Sequence, residues 1–310
     1  MPVSMPPIPL IDITDLASDD LTQRAQVARQ VGQACRDTGF FAITGHGVGA
    51  PQVADAFAAA REVFALPLAT KQAMAIRTQG HNRGYVALGI ESLNEHAPPD
   101  LKEAFNLIWT QDGQRPPNVW PPLPGWPVRA QAYFDAVLAV GRRLHRAFAI
   151  DLGIAEHFFD DKLDAPQATL RFLHYPATFD SDSPVGQAGA GTHTDYGNVT
   201  LLATDAVAGL QVQRRGGGWL DVPHLPGAFI CNIGDCLMRW SNDVYVSTPH
   251  RVRPPTHERY SIAFFLDPNP EAQVSALPTC VSPGQAPRHP PVTAAEHLHQ
   301  RLSATYKFTA

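Results

Sequence analysis

The sequence predicts an α+β fold: a double-stranded β-helix, or jelly roll, flanked by helices. From residue 168 onward, short runs rich in β-branched and aromatic residues recur with turn residues between them, which is the texture of a sandwich or barrel. Ahead of them the apolar positions recur at helical spacing, so helices precede the β region and pack around it. The chain has 310 residues, 44% of them hydrophobic, enough to bury one large core.

The elements follow in order. Residues 7–13 (PIPLIDI) alternate loosely and predict a short strand. Ala25, Val27, Ala28, Val31 and Ala34 share a helix face over residues 21–36, with residues 37–39 as the stop. Residues 40–44 predict a strand closed by Gly45-His46-Gly47, and Pro51 opens a helix that runs to Phe64. A second helix follows Pro67. The proline-rich stretch 114–127 predicts a loop, since prolines suit neither a helix interior nor a central strand. Its Trp120 and Trp126 are expected to pack rather than dangle. A long helix is expected over residues 128–152. Strands are expected at 170–175, 198–204, 209–214, 219–223, 229–234 and 259–267, and a closing helix at 292–306 whose Thr293 and Glu296 form a capping box. Residues 1–120 form an α/β front section and residues 121–310 the jelly-roll core with its long and C-terminal helices, as one compact unit.

Composition excludes several function classes. Net charge is −5 and only 17% of residues are charged, so there is no basic stripe for a phosphate backbone and no nucleic-acid partner is expected. No run approaches a membrane span, and residues 1–20 predict no secretion signal. Cys35, Cys231, Cys236 and Cys280 lack the paired spacing of a zinc site and read as reduced thiols. The expected setting is the cytoplasm, with a small-molecule substrate and a monomer or small homo-oligomer.

The chemistry gathers on three short segments. His193 and Asp195 are two apart just before a strand, and in extended backbone such residues share a face. His250 follows a later strand, which a double-sheet roll can bring back opposite the first. Two imidazoles and one carboxylate leave other coordination positions open, as iron(II) oxygenases require. Arg259 and Ser261 also share a face: a planar fork and a hydroxyl suited to a carboxylate. Tyr175 offers a third donor. An iron chelated by a 2-oxo acid needs an anchor of this kind at the acid's far end.

The chain resembles the isopenicillin N synthase-like family of iron(II)/2-oxoglutarate oxygenases, whose core is cupin-like. The resemblance rests on GFFAITGHGV (39–48), HTDYGNVTLL (193–202), GLQV (209–212), NIGDCLMRWSND (232–243), PHRV (249–252) and RYS (259–261). It implies that His193, Asp195 and His250 are the catalytic iron ligands. It implies too that Arg259, Ser261 and Tyr175 bind the C5 carboxylate of 2-oxoglutarate, and that Phe265 lines that pocket. Leu173 stands where some plant members carry an asparagine that touches the cosubstrate, so that contact is absent or replaced. The implied cofactors are Fe²⁺, 2-oxoglutarate and O₂, with ascorbate in support. The implied reaction oxidises a small organic molecule by hydroxylation, desaturation or cyclisation, releasing succinate and CO₂. Two alternatives stay open: an oxidase of the same fold that uses no 2-oxoglutarate, and a metal-dependent sensor without turnover.

Other polar residues read as structural. His46 sits in a turn, His174 points away from Tyr175, and Asn232 and Asp235 are expected to fix a turn. Residues 216–218 predict a hairpin tip. Lys102, Glu103 and Phe105 are expected on a solvated edge, with a role at the substrate mouth as the alternative. Selectivity is expected from residues 81–106 and the strand-edge loops.

Overall fold

The computed structural model describes residues 8–91, 98–111, 115–178 and 187–305. Pro7, Gln114 and Tyr306, at the ends of three expected elements, and part of the segment 81–106 lie outside the described residues. The elements are β1 (Leu10–Asp12), α1 (Leu21–Asp37), β2 (Phe40–Thr44), α2 (Ala50–Phe64), α3 (Leu68–Ala73), α4 (Ile76–Gln79), β3 (Gly84–Val86), β4 (Glu103–Ile108), α5 (Trp126–Asp151) and β5 (Gln167–Tyr175). They continue with β6 (Ala190–His193), β7 (Val199–Thr204), β8 (Leu210–Gln213), β9 (Trp219–Asp221), β10 (Phe229–Ile233), α6 (Asp235–Trp240), β11 (His250–Val252), β12 (Arg259–Asp267), β13 (Gln273–Val274), β14 (Val292–Thr293) and α7 (Ala294–Thr305).

Strands β5 to β12 form the jelly roll. Four of them lie in a major sheet ordered β1-β2-β10-β7-β12-β5-β4-β3, and four make a minor sheet ordered β6-β11-β8-β9. The front section supplies both borders of the major sheet. β2 pairs antiparallel with β10, and β4 pairs antiparallel with β5. Edge backbone groups that would otherwise template aggregation are thus capped by the chain's own strands.

Helix α5 backs the major sheet. Its apolar positions Phe134, Val137, Leu138, Gly141, Leu144 and Phe148 recur at helical spacing and are buried. Phe134 meets Phe264 of β12 edge-on at 5.0 Å. A β-carbon on Gly141 would lie 2.6 Å from Leu266 Cδ2, so the glycine permits this close helix-to-sheet approach. On β12 the even-numbered residues face these helices and the odd-numbered ones face the space between the sheets, as a two-residue period dictates.

Two expectations are corrected here. Trp126 is not in a loop: it opens α5, fully buried, donating from Nε1 to Ala59 O at 2.9 Å, while Trp120 packs on it from outside. Residues 102–105 are not a solvated edge. Glu103 begins β4, and Lys102, Glu103 and Phe105 are all buried. Glu103 tolerates this because Lys71 Nζ (2.8 Å), Tyr85 OH (2.6 Å) and His174 Nδ1 (2.7 Å) converge on its carboxylate. The capping box at α7 is present, with Thr293 N donating to Glu296 Oε2 and Glu296 N donating to Thr293 Oγ1. Residues 214–218 close the β8–β9 hairpin.

Candidate active site

A cavity of about 520 Å³ lies between the two sheets. At one wall, β6 and β11 run antiparallel with His193 directly opposite His250, which sets their ring centroids 4.3 Å apart. Asp195, just past the end of β6, turns its Oδ1 to within 3.7 Å of both Nε2 atoms. At that separation neither contact is a hydrogen bond. The three donor atoms lie within 4.8 Å of one another around a gap.

The surroundings orient each donor. His193 Nδ1 lies 2.7 Å from Gly191 O and His250 Nδ1 lies 3.2 Å from Thr248 O. A carbonyl only accepts, so each Nδ1 carries the hydrogen and each Nε2 lone pair faces the gap. Asp195 Oδ2 accepts from Thr200 Oγ1 at 2.5 Å and from Asn232 Nδ2 at 2.7 Å, which leaves Oδ1 for the gap. Burial and the neighbouring His250 push the His193 pKa down to about 3, so its ring is neutral and able to ligate. Burial alone would raise the Asp195 carboxyl, yet its pKa falls, and the hydrogen bonds from Asn232 and Thr200 favour the carboxylate. A buried carboxylate and two inward lone pairs need a cation between them. Two nitrogens and one oxygen suit iron(II).

The far wall carries the opposite charge. Arg259 is 1% exposed, its Nε 3.3 Å from Val207 O and its Nη1 3.3 Å from Ser261 Oγ. Its guanidinium carbon sits 4.8 Å over the ring of Tyr175, its neighbour across the β12–β5 register. Among the described residues no carboxylate pairs with it. A buried guanidinium supported only by neutral groups is suited to a carboxylate brought in by a ligand. Phe265 and Leu173 line the cavity between the two ends. The structure therefore gathers all seven sequence-derived site residues around one cavity. The ring face of Tyr175, rather than its hydroxyl, is what meets Arg259.

The structural histidines are satisfied: His46 by Gly227 O and Val48 N, and His174 by Glu103 and Glu258. Asn232 does more than fix a turn, because it lies within β10 and holds Asp195. Thr200 was overlooked too. Strand alternation alone does not single them out: the β10–β7 register brings Asn232 and Thr200 opposite each other. Asp100 was also missed: its Oδ1 accepts from Gly191 N at 2.9 Å, steadying the carbonyl that orients His193.

Comparison with known proteins agrees with this geometry. A family profile described as non-haem dioxygenase in morphine synthesis N-terminal matches residues 8–123, and that of the 2OG-Fe(II) oxygenase superfamily matches residues 166–268. The chain is 34% identical to the 2-oxoglutarate-Fe(II) type oxidoreductase hxnY of Emericella nidulans, over 96% of this chain and 90% of the relative. It is 32% identical to a homoarginine-6-hydroxylase of Oryza sativa, over 96% of this chain and 97% of the relative. A full-length Neurospora crassa enzyme crystallised with alpha-KG and thymine superposes with a TM-score of 0.90 at 32% identity, over 96% of this chain and 97% of that one. With a third of its residues shared along nearly its whole length, the chain belongs to the 2OG-Fe(II) oxygenase superfamily, whose enzymes use iron(II), 2-oxoglutarate and O₂ to oxidise a second substrate.

Proposed function

We propose that His193, Asp195 and His250 hold the iron(II), that Arg259 with Ser261 and Tyr175 anchors the C5 carboxylate of 2-oxoglutarate, and that a small molecule is oxidised in the remainder of the cavity. One observation carries this reading: three converging ligand atoms and an acid-free buried guanidinium stand at separate walls of one cavity. Iron(II) bound there supplies the oxidising power, with 2-oxoglutarate converted to succinate and CO₂.

The chain's own residues supply placement. The Gly191 and Thr248 carbonyls fix the tautomers of the two imidazoles. Thr200 and Asn232 hold Asp195 so that one oxygen points at the metal, an outer arrangement that typically governs metal affinity. Arg259 donates two parallel bonds to the distal carboxylate and so sets which end of the cosubstrate reaches the iron. Phe265 and Leu173 present apolar surface between the charged ends and limit water there.

A small-molecule substrate is supported by the cavity volume, by a similar enzyme crystallised with thymine and by a relative named for homoarginine. Residues 1–120 and 121–310 act as one unit in this reading, since the front strands complete the major sheet. No helix among the described residues is long and apolar enough to cross a membrane. The four cysteines are unpaired, which supports a reducing setting such as the cytoplasm, and a monomer or small homo-oligomer completes the proposal. The test is labelled 2-oxoglutarate with a panel of small substrates. Succinate formation stimulated by one of them is expected, and product formed without any 2-oxo acid would overturn the cosubstrate assignment.

A further inference from the structure

The two ends of the cavity differ in charge. Arg259 stands without an acid, but at the opposite end the cations are already matched. Lys102 Nζ contacts Asp100 and lies 3.6 Å from Glu91 Oε2, which also accepts from Arg171 Nη2 at 2.5 Å. Arg115 donates to the carbonyls of Pro166 and Ala165 and has the charge of Glu271 nearby. Asp267, which also lines the cavity, adds a carboxyl, so among the described residues this end offers a ligand polarity but no unmatched cation.

The amide oxygen of Asn106 is an unmatched acceptor there. Asn106, 1% exposed in β4, lines the cavity, and its Oδ1 is buried with no hydrogen-bond partner among the described residues. Its orientation is determined by Asn82, which places its side-chain oxygen 3.1 Å and its backbone oxygen 3.4 Å from Asn106 Nδ2. A backbone oxygen cannot donate, so the amide nitrogen must face Asn82 and the oxygen must face away. In the β4–β5 register Asn106 is opposite Arg171, and Arg171 is opposite Ala263 of β12. All three line the cavity, so the free acceptor belongs to the chamber outside the Arg259 end.

We propose that Asn106 is a specificity-determining residue that accepts a hydrogen bond from an N–H or O–H of the prime substrate. This end of the cavity then selects an uncharged, hydrogen-bonding small molecule, such as a lactam, an imide or a hydroxylated ring. The inference rests on the Arg259 end being filled by 2-oxoglutarate. A carboxylate would meet cations already paired, and a substrate without a donor would leave the buried Asn106 oxygen unpaired, whereas an N–H or O–H would satisfy it, and sites built around such a hydrogen bond discriminate strongly.

The experiment is anaerobic calorimetry on the full chain loaded with iron(II) and 2-oxoglutarate. 2-Oxoglutarate is titrated first, and its failure to bind would refute the cosubstrate reading rather than this one. The probes are thymine, uracil and 2-pyridone, their fully N-methylated counterparts, and benzoate as the carboxylate. At least one N–H probe is expected to bind, with its N-methylated counterpart weaker by about tenfold or more. Asn106→Leu removes the acceptor at similar volume. It is expected to abolish that discrimination while leaving 2-oxoglutarate affinity and the ligand-free Tm near wild type. The proposal is overturned if no N–H probe binds, if benzoate binds best, or if Asn106→Leu retains the discrimination. Loss of 2-oxoglutarate binding or a collapse of Tm in Asn106→Leu would assign the residue a structural role instead.

Discussion

Replacing Arg259 by lysine keeps the positive charge and removes the planar fork. The guanidinium lies over Tyr175 with one nitrogen toward Ser261 and another toward Val207 O. A carboxylate arriving beside Ser261 can therefore meet two parallel N–H groups, and an ammonium offers only a single point of contact in that plane. Each charge-assisted hydrogen bond contributes about 1.5–3 kcal/mol. Loss of one in Arg259→Lys predicts roughly 10- to 150-fold weaker apparent affinity for 2-oxoglutarate, since about 1.4 kcal/mol corresponds to tenfold. Arg259→Ala should cost more, because it removes both bonds and the charge. Iron content should not change in either variant, as Arg259 lies at the other wall. The assay is a 2-oxoglutarate titration of succinate formation at saturating iron, with iron measured on the same samples. An unchanged 2-oxoglutarate dependence in Arg259→Ala would refute the reasoning.

Asn232→Ala removes one of the two hydrogen bonds on Asp195 Oδ2. Iron affinity should fall about 10- to 100-fold, read by competition with a chelator, and unaltered affinity would show that Thr200 alone suffices. Chelation should abolish turnover and iron(II) with a reductant should restore it, whereas zinc should inhibit by occupying the same ligands; activity in a fully demetallated sample would contradict this. The pKa of His145 is pushed from the usual 6.5 down to about 4, chiefly by burial. The unfolded chain then takes up a proton that the folded chain resists. The stability from this residue is complete above pH 6.5 and is lost as pH falls toward 4, by about 3 kcal/mol in all. Urea unfolding across that range should show a shallower pH dependence in His145→Gln than in wild type, and equal slopes would place the effect elsewhere.

Legibility in the sequence followed how local the determining physics is. β12 was expected at 259–267 and is found there, because nine residues with turns on both sides leave little freedom. α1, α2 and α5 carry their own helical period and were found within two residues at each end. β4 was misread, since Lys102 and Glu103 look solvated until Lys71, Tyr85 and His174 arrive from other elements, and the loop before β4 folds Asp100 and Glu91 onto Lys102, to compensate them. β11 has only three residues with prolines on either side, so its pairing with β6 comes from the roll rather than from local preference. The His193, Asp195 and His250 set was legible because metal chemistry constrains residue types. Thr200, Asn232 and Asn106 are ordinary strand polar residues, and only the registers between strands distinguish them.

The most direct test of the central claim is anaerobic iron(II) binding to wild type, Asp195→Ala and Arg259→Ala, with each sample freed of loose metal before analysis. Asp195 supplies the only anionic ligand in the set, and Arg259 touches none of the three. Wild type and Arg259→Ala should each retain about one iron(II) per chain, and Asp195→Ala should retain almost none. Iron held by Asp195→Ala at the wild-type level would contradict the assignment of the metal to His193, Asp195 and His250.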